Sequence, residues 1–343
     1  MRRRCKAFTV AAAGAGEVMP MRLKRAMLKH AAKRLLIALQ LGAAAVSLIM
    51  IAAVPAMAAA TSQKTFATPA AAVDALIGAN RADHTGELLA ILGPEGAKLI
   101  HSGDPVADRH GKTRFVAAYD EAHKLELEGD SKAILIVGKD EWPFAIPLVR
   151  ESTGWRFDTK AGADEILNRR IGRNELMVIE TCRAYVRAQR EYAAKGLGPG
   201  GSADYAQHFM SRAGQRDGLY WPAKPDEDES PLGPLIASAR AAGYSPGTPH
   251  VKPQPYYGYY FRILTQQGQN APGGATNYIV NGHMTGGFAL VAYPATYGDS
   301  GIMTFIVNQD GIVYQKNLGP TTPRIAAETT QYDPDQSWQV SKP

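Results

Sequence analysis

Cysteine is almost missing from this chain: Cys5 and Cys182 are the 2 in 343 residues. Cys5 falls in a segment read below as a cleaved leader, so no intramolecular disulfide is expected in the mature protein. Compact metal-binding signatures are missing too. There is no His-Glu-x-x-His, no Cys-x-x-Cys and no close histidine pair on a helix, so no metal or cofactor is expected. Gly196-Leu-Gly-Pro-Gly-Gly201 runs into Ser202-Ala203-Asp204 without the lysine of a phosphate-binding loop, and reads as a loop that ends a helix. The acidic run Asp226-Glu227-Asp228-Glu229 lacks the alternate spacing and glycine of a calcium loop and reads as a solvated segment.

One stretch alone is long and apolar, from Leu35 to Val54. A basic lead precedes it (Lys24, Arg25, Lys29, Lys33, Arg34), and Ala56-Met57-Ala58 follows. That is the layout of a secretory signal peptide over residues 1–58, with cleavage expected after Ala58. A retained membrane anchor is the competing reading, since the length suits a bilayer, but Gly42, the alanines and Pro55 make the stretch weakly hydrophobic. Met21 or Met27 would each open a more ordinary leader, which leaves residues 1–20 dispensable. The mature protein is therefore expected in the periplasm or secreted, with no membrane span after cleavage.

Cleavage changes the charge balance. The leader holds ten Lys and Arg and one acid, so the chain's 38 basic and 32 acidic residues become 28 and 31, a net of −3 in place of +6. No basic patch remains to suggest nucleic acid as a partner.

Along the mature chain, Pro69 opens a helix through Val73, Leu76 and Ile77 with Thr68 as N-cap. "GELLAILGPEG" reads as a short helix stopped by Gly93-Pro94, and a third helix is expected from about Pro105 to Leu127. "KAILIVGK", "FAIPLVRE" and "GWRFDT" follow as strands. The longest helix is expected over Asp164 to Lys195, with Ile171, Leu176, Ile179, Cys182, Val186 and Ala193 as its apolar stripe and arginines on the other side. A proline-rich, loop-like middle spans about Met210 to Gln254. The last ninety or so residues read as an antiparallel meander of short aromatic and β-branched strands joined by Gly, Asn, Asp and Pro.

Several residues tempt a chemical reading. Gly298-Asp299-Ser300-Gly301 is the tetrapeptide around the nucleophile of chymotrypsin-like proteases, yet none of His84, His101, His110, His123, His208, His250 and His283 has the sequence context of that family's base. Asp310-Gly311 is read as a type I′ turn between two strands, not as a catalytic acid, and Asn281-Gly282 before His283 is read the same way. Cys182 lies on the apolar helix stripe and is expected buried and inert. Trp142 and Trp221, each before a proline, are read as core residues beside an edge strand. No catalytic or binding residue can be named from these signals.

The stretches "KTFATPAAAVDALIGA", "LLAILGPEGAKLIHSGDPVADR", "GKDEWPFAIPLV", "GWRFDTKAGADEILNRRIGRNEL", "YYGYYFRILTQQG" and "SGIMTFIVNQDGIVYQKNLG" resemble a family of exported bacterial proteins known as a domain of unknown function, DUF2950. The resemblance runs from about Lys64 to Trp338. It implies export and a shared fold and carries no activity. The layout over residues 66 to 160 also resembles the cone of nuclear-transport-factor-two-like domains, and the half from Ile171 onward resembles the globular heads of type IV pilin-like proteins.

The expected architecture is α+β. Residues 64–160 form a helical module with a small antiparallel sheet, and residues 164–340 pack a long helix on an antiparallel meander. The function expected is a non-catalytic envelope module that binds an unidentified envelope protein or small ligand. The alternative is a periplasmic hydrolase with its site in the pocket of the N-terminal module.

Overall fold

Thr68 does cap the first helix. Its Oγ1 accepts from the Ala71 N–H at 3.1 Å, and Pro69 takes a first-turn position where no N–H partner is needed. The computed structural model describes residues 63–224, 226–245 and 254–342, so the leader reading falls outside the described residues. The chain is mixed α+β. Four helices come first: α1 (Pro69–Arg81), α2 (Thr85–Leu92), α3 (Gly96–Ile100) and α4 (Pro105–Glu121). A five-stranded antiparallel sheet follows, made of β1 (His123–Glu128), β2 (Lys132–Val137), β3 (Trp142–Pro143), β4 (Leu148–Glu151) and β5 (Gly154–Phe157). Its order is β1-β2-β4-β5, with β3 paired to β2.

One expectation fails here. The third helix stops at Glu121, and the chain turns extended at Ala122 (φ −163°). "HKLELE" then pairs along its whole length with β2, from His123 opposite Val137 to Glu128 opposite Lys132. Its residues alternate in type with period two, and β2 is an almost wholly buried apolar strand that needs a partner on each side. Those two facts outweigh the good helix formers in the stretch. Gly129 (φ 65°) supplies the reversal between the strands.

The long helix α5 (Thr159–Ala194) starts five residues before its expected N-terminus, at Thr159 rather than Asp164. Ile171, Val178, Ile179, Cys182, Tyr185, Val186, Ala188 and Tyr192 form its buried face. Leu176 is not part of it: 55% of its surface stays exposed. The proline-rich middle holds a helix that periodicity did not reveal, α6 (Gly233–Ala241); part of that middle lies outside the described residues.

The C-terminal part supplies β6 (Tyr259–Leu264), β7 (Gln266–Gln267), β8 (Thr276–Asn277), β9 (Ile279–Val280), β10 (His283–Met284), β11 (Ala289–Pro294), β12 (Met303–Asn308), β13 (Tyr314–Asn317), α7 (Thr322–Glu328) and β14 (Gln339–Val340). The main sheet runs β14-β13-β12-β11-β6, every neighbour antiparallel. Val186 and Ile179 share one apolar cluster with Phe288, Leu290, Val291, Phe305 and Val307. Each aliphatic side chain fully buried there is worth about 1.5–3 kcal/mol. Tyr185 stands edge-on to Phe288 with ring centres 5.6 Å apart and donates to the Ala289 carbonyl at 3.2 Å.

A second apolar cluster gathers Leu76, Ile77, Leu88, Ile91, Leu135, Ile146, Leu148 and Phe157 between the first helices and the first sheet. Helix α5 serves both clusters, Ile166 packing on this one and Val178 onward on the other. No linker separates the two halves at that point, because one unbroken helix crosses between them.

Buried tyrosines give a pH signature. Burial holds the phenols of Tyr192 and Tyr256 up to about 12 and raises those of Tyr185, Tyr244, Tyr259, Tyr278 and Tyr332 as well. A raised folded value means the native state keeps protons that the unfolded chain releases near 10. This stabilising contribution is complete below about pH 10 and is lost as pH climbs through about 12. The expected result is a melting temperature that drops steeply across that window while absorbance at 295 nm rises with unfolding. Tyrosines titrating freely near 10 with melting unchanged would contradict their burial.

Candidate functional site

Helices α1, α2 and α4 turn apolar side chains toward the first part of α5, and they do not close completely. A cavity of about 310 Å³ remains, floored by Leu76, Leu88, Phe115, Phe144, Ile146 and Ile166. That is the lower end of volumes that hold small organic ligands. Leu76, Leu88 and Ile146 are almost fully buried, and Phe115 packs against Phe144 with ring centres 4.9 Å apart.

Three arginines and a histidine stand on the rim. Arg114 and His110 come from α4, and Arg170 and Arg173 from α5. Arg170 donates to the carbonyls of Lys98, at 2.8 Å, and Leu99, which tie α5 to the end of α3. Burial lowers the pKa of Arg170 and of Arg173, and the charge of Arg114 lowers that of Arg173 further. Among the described residues, neither Arg114 nor Arg173 makes an ion pair, whereas Lys112 on the same rim is paired with Asp83 at 2.6 Å. Asp108 is the carboxylate on the lining, and it accepts from the Ser102 N–H at 3.0 Å.

Tyr244 and Tyr257 complete the wall from the C-terminal half, and a buried carboxylate places them. Asp104, 1% exposed, caps α4 by accepting from Val106 N at 3.1 Å and Ala107 N at 3.0 Å. Its other oxygen accepts from the Tyr244 hydroxyl at 2.9 Å and from Gly258 N at 2.8 Å. Tyr257 sits in the left-handed region at φ 48°. Its N–H donates to the Tyr244 oxygen at 3.3 Å. Gly258 follows at φ 75°, and a Cβ there would come within 2.8 Å of Asn174 Nδ2 and Ser300 Cβ. Only glycine fits between them.

The serine of the protease-like tetrapeptide is structural. Ser300 is fully buried, and its hydroxyl donates to Thr296 O at 3.1 Å and accepts from Thr296 N at 3.0 Å. Asn174 Nδ2 donates to Ser300 O at 2.9 Å, and Glu175 Oε1 accepts from Ile302 N and Met303 N, each at 2.9 Å. The Gly-Asp-Ser-Gly loop is thus where the long helix is pinned to the main sheet.

Asp310 is a turn residue, with a correction to the turn. Gly311 alone of the pair has positive φ (83°), and Gly311 N donates to Asn308 O at 3.0 Å. The Asn308 side chain braces Asp310 through its N–H and its carboxylate, each at 3.1 Å. The chain there has no need of the mirror-image turn, because Ile312 and Val313 lie outside the strand and lengthen the loop. Asn281-Gly282 does make the expected type I′ turn, with φ 53° and 83° and Val280 opposite His283.

His283 Nδ1 lies 2.6 Å from the Asp204 carboxylate, holding the β9–β10 hairpin to the loop after α5. His123 stacks on Tyr119 at 3.7 Å. His250 lies outside the described residues. Cys182 is fully buried and its thiol is pushed up to about 12, so it is inert as expected. Trp221 is buried, but Trp142 is 59% exposed beneath the Arg169 guanidinium at 5.9 Å. Its strand is only two residues long and pairs at the end of β2, which leaves its indole outside the core. The acidic run Asp226–Glu229 is exposed, and among the described residues no cluster of three or more metal-binding side chains exists. None of the described helices is long and apolar enough to cross a membrane.

The family model described as "Protein of unknown function (DUF2950)" matches residues 63–341. The chain belongs to this family. No curated protein and no solved structure matches it. The match covers α1 to β14, so the cavity, the Asp104 network and the pinned Ser300 loop all lie within the family's domain. It supports no pilin likeness.

Proposed function

We propose that the protein is an exported, non-catalytic binding module, periplasmic or secreted, whose small ligand occupies the cavity between α1–α4 and the first part of α5. The observation that carries this reading is the cavity itself: an apolar floor inside a rim of hydrogen-bond donors. Guanidiniums donate and do not transfer protons near neutral pH. The Asp108 carboxylate is already engaged by the Ser102 backbone. Guanidiniums outnumber the single lining imidazole, His110, and this donor-rich lining favours recognition of a ligand over its turnover.

Gly111 offers a clean test. It lines the cavity from α4, and a Cβ added there meets nothing within 4 Å. Gly111→Phe fills open space and gains helix propensity of up to about 0.5 kcal/mol. N-phenyl-1-naphthylamine, a neutral fluorescent probe, is expected to bind the purified protein saturably, and at least tenfold more weakly to the Gly111→Phe variant with melting undiminished. Absence of saturable binding to the unaltered protein would remove the proposal.

A further inference from the structure

The geometry points to an amphipathic organic oxyanion as the ligand: a carboxylate or phosphate head on a compact apolar body. This inference rests on the binding reading above and names the class of ligand that reading leaves open.

Three guanidiniums and one carboxylate share the lining; that carboxylate accepts from the Ser102 N–H and its charge acts on Arg170, so cationic groups stay in excess. Arg114 lies close enough to Arg173 for its charge to disfavour that of Arg173, and among the described residues neither makes an ion pair. Both side chains are exposed at the mouth of the cavity, so solvent screens part of their repulsion, and a small anionic group can reach them from the cavity without being wholly desolvated. Both arginines line the cavity. An incoming oxyanion would relieve the repulsion and accept two parallel N–H bonds from either planar fork.

The floor fixes the other half of the ligand. Leu76, Leu88, Phe115, Phe144, Ile146 and Ile166 offer no polar side-chain atom to a group lying on them. A bare inorganic anion would leave that surface wet, and an uncharged apolar molecule would leave the cations unpaired. The cavity's 310 Å³ is about ten water volumes; bonded atoms pack more closely than waters, so it suits a body of roughly ten to twenty heavy atoms, not a diacyl lipid.

Competition against N-phenyl-1-naphthylamine separates the possibilities, with octanoate, octyl phosphate, 1-octanol, octylammonium and inorganic phosphate as competitors. Octanoate or octyl phosphate is expected to displace the probe at a concentration at least tenfold below that of 1-octanol. Octylammonium and inorganic phosphate are expected to be weaker still. Arg114→Gln and Arg173→Gln should each erase most of the tenfold preference while leaving 1-octanol unchanged. Neither arginine makes an ion pair among the described residues, so both variants should melt at or above the parent temperature. Equal potency of 1-octanol and octanoate, or a preference untouched in both variants, would overturn the inference while probe binding kept the cavity reading intact. Inorganic phosphate matching octanoate would overturn the apolar half. If the probe itself fails to bind, the functional reading fails first.

Discussion

Val186→Asp is expected to unfold the C-terminal half of the protein. Val186 is 3% exposed in the middle of the α5 stripe and packs in the cluster with Phe288, Leu290 and Phe305. The change removes about 1.5–3 kcal/mol of apolar burial. It then either strands a carboxylate in a dry core, at several kcal/mol, or forces it to take up a proton. A total of about 5 kcal/mol or more approaches the whole stability of an ordinary domain. Circular dichroism should show the cooperative transition lost or lowered by about 10–20 °C. A variant that melts like the parent would mean that α5 does not hold the sheet in place.

The second large effect is expected at Asp104. Alanine there deletes the α4 cap, at about 0.5–2 kcal/mol. It also orphans the Tyr244 hydroxyl and the Gly258 N–H, at about 1–3 kcal/mol for each buried donor. The sum, about 2.5–8 kcal/mol, is unusual for one polar residue, and it arises because one carboxylate joins the first helices to the loop that carries Tyr257. Tyr244→Phe should cost less, about 1–2 kcal/mol, since it removes the bond to Asp104 and the longer one from the Tyr257 N–H. Because the two changes break one shared bond, the double variant should be less destabilised than the sum of the singles, by about 0.5–1 kcal/mol or more. Strict additivity would show that the Asp104–Tyr244 bond contributes nothing. Tyr244 and Tyr257 line the cavity, so the Asp104 variant should also weaken probe binding even where it remains folded.

Much of the local structure was legible in the sequence. Thr68-Pro69 announces a capped helix, Gly93 stops α2 at φ 73°, and Asn281-Gly282 can only be a tight reversal. The stripe through Ile171, Ile179, Cys182 and Val186 located the core face of α5. Where reading failed, tertiary context decided. "HKLELE" becomes a strand because β2 lies beside it, and α6 is hidden by the prolines around it.

The site was less legible. Arginines on α5 read as a solvent face, yet Arg170 and Arg173 stand three residues apart and join Ile166, one turn before Arg170, on the cavity side. That spacing was a signal, but its meaning depends on Arg114, which only the fold brings near. Asp104 directly precedes the third helix, and nothing in its own neighbourhood points to Tyr244 or Gly258, both far along the chain. The same tertiary closeness disposed of the protease-like tetrapeptide, whose serine is fully engaged by Thr296.

Hydrogen–deuterium exchange of the purified protein, with and without saturating octanoate, asks most directly whether a ligand enters between the helices. Protection should rise in residues 76–115 and 166–174, which carry the floor and the arginines, with the strands of the main sheet unchanged. Protection confined to the sheet, or none at all under saturation, would mean that the cavity is a packing defect with no ligand of its own.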